Sequence, residues 1–168
     1  EQLAHQTRKE EERLMLWLHR EARWDFNPFS GSDCHAVLKE RGYEGPYNKP
    51  TKAHPGGAPS VTNEWLQEIG DVDTDTKQPS GQGDELAANL YELRRINKMR
   101  KDFLEGAILE RNVRGRLHPT WHQLRDYDEE GKRSRGTRSG RIAASKPNLT
   151  NVPARDPIWG RRVRKCFI

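Results

Sequence analysis

Apolar residues recur at helical spacing near the start of the chain. Leu14, Trp17, Leu18 and Ala22 form one stripe, with Glu10, Glu11, Glu12, Arg13 and Arg20 on a wet side, so residues 3–24 are predicted helical. Asp25-Phe26-Asn27-Pro28 breaks that helix. Ser30-Gly31-Ser32-Asp33 has the form of a capping box and should start a short helix carrying Ala36, Val37 and Leu38, stopping near Gly42. Residues 43–59 read as a loop, and Ser60, Thr62 and Asn63 are good cap types for a helix through Trp65 and Leu66. The strongest periodicity covers residues 84–109. Asp84 is placed to cap it, Leu86, Leu90, Leu93, Ile96, Phe103 and Ala107 recur at three and four, and Arg94, Arg95, Lys98, Arg100 and Lys101 form a second, basic face. From Gly115 to Gln123 the pattern alternates like a strand.

Composition sharpens this picture. The chain has 168 residues, 32% hydrophobic and 33% charged, with net charge +5 and mean hydropathy −1.08. Such a chain has little apolar material for a core, so much of it is solvated or packs against something else. The basic balance is compatible with a polyanionic partner without demanding one. Cys34 and Cys166 lie far apart and predict reduced thiols rather than a disulfide framework. No apolar run approaches a membrane span, and no secretory leader opens the chain. The first residue is not Met, so a processed or excised segment is as good a reading as a native start.

Metal chemistry is not expected. Asp71, Asp73 and Asp75 alternate, but Thr76 and Gln82 stand where a calcium loop needs Gly and Glu. His118 and His122 are four apart, yet Pro119 and the strand pattern argue against a helical ligand pair.

One run is more specific than a generic loop: Gly140-Arg141-Ile142-Ala143-Ala144-Ser145-Lys146-Pro147-Asn148-Leu149-Thr150-Asn151-Val152-Pro153. Its prolines favour extended backbone on either side of two asparagines, and Arg141 carries a permanently charged fork. Amides and a guanidinium on extended backbone suit a duplex minor groove, where acceptors sit at equivalent places in every base pair.

This run resembles the palm-entry motif of family A DNA polymerases, roughly T-G-R-L-S-S-x-x-P-N-L-Q-N-I-P. Ala143, Ala144 and Thr150 replace its two serines and its glutamine. Other stretches fit the same family. Phe26, Asn27 and Ser30 resemble F-N-x-x-S of the thumb, and Thr51 and Lys52 resemble the thumb-tip K-T-K-T-G-x-P-S-T. The run 91–103 resembles the thumb helix E-Y-R-x-L-x-K-L-x-S-T-Y, and 115–123 resembles G-R-V-H-T-S-Y-H-Q, which pairs with the G-R-L-S-S strand.

The resemblance implies an α+β, mainly helical piece, with long antiparallel thumb helices followed by a small antiparallel palm sheet. It implies a thumb over residues 1–110, with its tip around 43–66, and the first part of a palm over 111–168, ending before the first catalytic carboxylate. Arg141 would reach the minor groove at the primer terminus, and Asn148, Asn151 and Gln123 would contact the same duplex. Arg94, Lys98 and Arg100 would hold phosphates, with Lys52, Ser60 and Thr62 at the tip. Arg94 and Lys98 are four apart, so one phosphate track can serve both.

The expected partners are primer–template DNA and the rest of a DNA-directed DNA polymerase in a bacterial or phage-infected cytoplasm. No residue of the chain maps onto the catalytic carboxylates. The complete enzyme would use Mg2+, and the chain alone would be inactive. The alternative is a non-catalytic basic nucleic-acid-binding or assembly protein. A third reading is a partly disordered adaptor that folds on binding. The basic stretch 124–139 is expected to be a loop beside nucleic acid, and the terminal sheet to leave an uncovered edge with exposed apolar residues.

Overall fold

The computed structural model describes residues 1–123, 141–152 and 156–166. The expected basic loop, Gly140 and Pro153 lie outside the described residues. The architecture is α+β and mainly helical, and the chain divides into two compact units, one of Gln6–Asn97 and one of Glu1–His5 with Lys98–Ile168.

The first unit is built on α1 (Gln2–Ala22), α2 (Gly31–Glu40), α3 (Asn63–Ile69) and α4 (Glu85–Lys98). The predicted periodicities select its core. Leu14 and Leu18 of α1, Val37 and Leu38 of α2, Leu66 of α3, and Leu86, Leu90, Leu93 and Ile96 of α4 are buried, as is Phe26 between α1 and α2. Helices α1 and α4 run antiparallel. Asn97, near the end of α4, donates to Glu11 of α1. Arg41 holds both Glu21, at the end of α1, and Asp84, at the start of α4, at 3.4 and 2.8 Å.

The caps follow the sequence. Ser30 Oγ accepts from the Asp33 N–H, and Thr62 Oγ1 accepts from the Trp65 N–H at 3.2 Å. Asp84 Oδ1 accepts from the Ala87 N–H at 3.0 Å. The Asp33 carboxylate takes the Asn27 N–H and the Ser30 hydroxyl, which together hold it below the usual carboxylate range. Residues 43–62 are more ordered than a plain loop, since Tyr47 and Pro59 form an antiparallel bridge and the Asn48 N–H donates to Ala58 O.

The predicted helix over 84–109 is continuous but not uniform. After Lys98 it widens into a π-helix, Met99–Leu109. Gly106 fits this winding, because a Cβ there would come within 2.8 Å of Lys101 O, five residues back. The expected apolar stripe included Phe103, but Leu104 and Ala107 are the buried residues of this stretch and Phe103 is half-buried.

The predicted strand over 115–123 is two strands. Strand β1 (Asn112–Val113) pairs with β2 (Arg116–Leu117) across Arg114 and Gly115, both at positive φ as a two-residue hairpin turn requires. Pro119 lacks an N–H and separates β2 from β3 (Thr120–His122). Strand β3 pairs antiparallel with β4 (Ala143–Ser145), as the motif pairing implied, in the register Thr120↔Ser145, Trp121↔Ala144, His122↔Ala143. Both sheets have two strands among the described residues, and Val113, Trp121 and Ile142 are each more than half exposed. A 3₁₀ turn (Leu149–Asn151) and α5 (Trp159–Arg164) complete the second unit.

Two outcomes follow for unfolding in urea. Leu90→Ala should cost ~2–5 kcal/mol as a buried leucine truncation, against ~1 kcal/mol for Thr62→Ala. Because its folded pKa is depressed, Asp33 contributes stability that is present above the ordinary carboxylate pKa of about 3.9 and lost as pH falls through the folded value. Asp33→Asn should therefore be less stable than the parent at pH 7 and converge with it in strong acid. A gap that stays constant with pH would show that the carboxylate charge contributes nothing.

Candidate nucleic-acid interface

The paired strands β3 and β4 carry four of the residues singled out by sequence at their two ends, Gln123 and Arg141 beyond His122↔Ala143 and Asn148 and Asn151 beyond Thr120↔Ser145. Continuing their register one step sets Gln123 opposite Ile142, beside Arg141. Gln123 and Arg141 are exposed. On the outgoing side, Pro147 is buried after a cis peptide bond, and Asn148 begins the 3₁₀ turn. Asn148 Oδ1 accepts from the Thr150 N–H at 3.2 Å and from the Thr150 hydroxyl at 2.5 Å. Since a backbone N–H can only donate, the oxygen of this amide must face Thr150, and its NH2 is the group presented outward. Asn151 is exposed at the end of the same turn. His122 Nε2 lies 2.8 Å from Ser145 Oγ, which accounts for that histidine as a strand-to-strand contact.

The basic face expected on residues 84–109 is largely turned inward, a correction to the sequence reading. Arg94 is half-buried. Its Nε donates to Pro28 O at 3.1 Å, one terminal nitrogen donates to Val61 O at 2.8 Å, and the other to Cys34 Sγ at 3.3 Å. Arg95 pairs with Glu92 at 3.1 Å, and Arg100 pairs with Glu105 at 2.5 Å with its side chain 13% exposed. The physical reason is the guanidinium itself. A long side chain with a planar fork can turn inward when acceptors meet it, carbonyls and a sulfur for Arg94 and carboxylates for Arg95 and Arg100. Lys98 and Lys101 are the exposed cations of this stretch. The π-winding also removes the α-helical spacing that would have aligned the later residues with Arg94.

Between α2 and α3, Lys52 is exposed, the half-buried Ser60 donates its N–H to Pro46 O, and Thr62 is the cap of α3. The Asp73 carboxylate is occupied by the Asp75 and Thr76 N–H groups, as in an ordinary turn. Among the described residues, no three His, Cys, Asp or Glu side chains converge to hold a metal ion.

Charge is divided unequally between the units. The helical unit carries 12 Lys and Arg against 16 Asp and Glu, while the other carries 18 against 9. Whole-chain charge concealed this segregation, which gives the hairpin-bearing unit the stronger attraction for a polyanion.

A profile described as "DNA polymerase family A" matches residues 1–168. The chain belongs to this family. As a family A chain, it is 27% identical over 157 residues to the "DNA polymerase I" of Chloroflexus aurantiacus, covering 92% of this chain and 14% of that protein. It is 39% identical over 82 residues to a "DNA-directed DNA polymerase" of Pseudomonas phage M6, covering 48% of this chain and 12% of that one. The family A chain thus spans about an eighth to a seventh of these relatives' lengths. In fold it is similar to a solved "POL domain of Pol1 from M. smegmatis complex with DNA primer-template and dNTP", with TM-score 0.70 and 22% identity, over 99% of this chain and 25% of that one.

The two cysteines give a direct check of the helical unit of this family A chain. Burial pushes the Cys34 thiol up, with Arg94 opposing it, while Cys166 is exposed. At pH 8, a thiol reagent should modify Cys166 at once and Cys34 only as fast as the unit opens. Equal rates for the two would show that the Arg94 cluster is not closed in solution.

Proposed function

We propose that the chain is the duplex-gripping portion of a DNA-directed DNA polymerase, holding primer–template DNA and aligning the primer terminus for template-directed synthesis. The observation that carries this reading is the family match over all 168 residues. The exposed Arg141, Gln123 and Asn151, and the outward NH2 of Asn148, support it in detail. Arg141 and the two asparagines donate to minor-groove acceptors, which are common to all base pairs and so report pairing rather than sequence. Lys98 holds backbone phosphate, with Lys52 at the tip. Arg94 and Arg100, bonded internally, act by positioning their segments, and Ser60 and Thr62 offer the start of α3 to a phosphate.

In this reading residues 1–110 are thumb and 111–168 open the palm. The two-metal carboxylate site and its Mg2+ belong to other residues of the complete enzyme, so the chain alone does not polymerise. It works in the cytoplasm of a bacterium or of a phage-infected cell, and no helix among the described residues is long and apolar enough to cross a membrane.

The first test is binding of a labelled primer–template duplex against single-stranded DNA over a salt series. Duplex preference with a steep salt dependence is expected, and equal affinity for both would favour the alternative of a general basic nucleic-acid-binding protein. In an enzyme reconstituted with its catalytic segment, Arg141→Ala should slow primer extension by about 10- to 100-fold, matching one charged hydrogen bond of ~1.5–3 kcal/mol. Duplex affinity should change far less. Normal extension would remove Arg141 from the primer terminus.

A further inference from the structure

The hairpin-bearing unit holds a second feature that no motif marks. Three cations from separate segments line one shallow depression of about 370 Å3: Lys101 of the π-helix, Arg111 just after it, and Lys146 between β4 and the 3₁₀ turn. Gly106 and Asn148 share the lining. Lys146 is in a left-handed conformation, φ 54, at the point where the chain leaves β4. Two carboxylates, Asp102 and Glu110, share the lining, so the local balance is three cations to two anions.

We infer that this depression is an additional seat for a backbone phosphodiester of the bound duplex, with Lys146 and Arg111 as its charged donors. The inference rests on the duplex-gripping function proposed above and extends it to residues outside the family motif, where Lys146 occupies an unspecified position. Three features favour a polymer backbone over a small molecule. The depression is open rather than enclosed, whereas small-molecule sites bury most of their ligand. Its donors are long, solvated side chains suited to a charge that lies across them. Asn148, already turned with its NH2 outward, flanks the cations, so one strand can meet a base-edge donor and a phosphate donor together. The neighbouring Asp102 and Glu110 weaken the seat for any polyanion that does not also engage the hairpin.

The test uses the full chain and a primer–template duplex, with affinity followed from low to moderate salt. Each phosphate contact contributes about 0.9 to the slope of log affinity against log salt. The Lys146→Ala/Arg111→Ala variant should lose about 0.9 of that slope, the share of one phosphate, Lys146→Arg should keep the parental slope, and Glu110→Gln should raise the affinity. Circular dichroism of each variant identifies any that fail to fold, and Lys146→Arg carries the comparison in that case through its single partner Lys146→Ala. Lys9→Ala, an exposed cation of α1, controls for general net charge.

A parental slope in the double variant, or an equal loss in Lys9→Ala, overturns the seat while leaving duplex binding standing. If the parent itself shows no salt-dependent duplex binding, both the seat and the duplex-gripping function fall. A second arm titrates inorganic phosphate. Tight phosphate binding that the double variant loses, with an unchanged DNA slope, would make this a free-anion site and overturn the backbone assignment.

Discussion

The helical unit depends on a single guanidinium. Arg94 projects from α4 and ties three distant stretches together: the break after α1 through Pro28 O, the approach to α3 through Val61 O, and α2 through Cys34. The two carbonyls, of Pro28 and Val61, lie outside the helix ladders, and the third acceptor is the Cys34 sulfur. Burying a carbonyl unpaired costs on the order of 1–3 kcal/mol, and Arg94 serves Val61 O and shares Pro28 O with the Cys34 thiol. Leucines alone would bring the helices together without fixing where the connecting segments lie. Lysine could not substitute, because its donors radiate from one point rather than forming a planar fork.

A division of labour follows. The helical unit devotes its arginines to its own architecture and is net acidic, while the unit with the hairpin carries the excess positive charge. Lys101, Arg111 and Lys146 line one depression of this unit, and cations closer than a Debye length of about 10 Å at 0.1 M salt add to one another's field. In α5 even Arg162, stacked over Trp159 at 5.1 Å, leaves its charge at the surface. The excess positive charge thus lies in the unit that carries the hairpin.

Much of this was legible in the sequence where local rules decide the outcome. Leu86, Leu90, Leu93 and Ile96 announced α4, and Ser30, Thr62 and Asp84 announced the starts of their helices through cap chemistry. The pairing of β3 with β4 was legible only through the family motif, since nothing in Thr120–His122 names its partner. The destination of Arg94 was not legible, because the same basic residue reads equally well as surface or as clamp until the carbonyls of Pro28 and Val61 are in place. The break at Pro119 was visible in principle, as the missing N–H interrupts a ladder. The depression lined by Lys101, Arg111 and Lys146 joins residues up to 45 positions apart in the chain, which no local pattern encodes.

The π-helix has a consequence for how chains of this kind tolerate changes in length. A π-turn accommodates more residues than an α-turn between the same two ends, so Met99–Leu109 holds slack that an α-helix would not. Loss of one residue there can be absorbed by tightening the winding, with Leu104 and Ala107 still available to the core. Loss of one residue from α4 has no such outlet, and would rotate Arg94 away from every carbonyl it holds. A one-residue deletion is therefore expected to be better tolerated within Met99–Leu109 than within Glu85–Lys98.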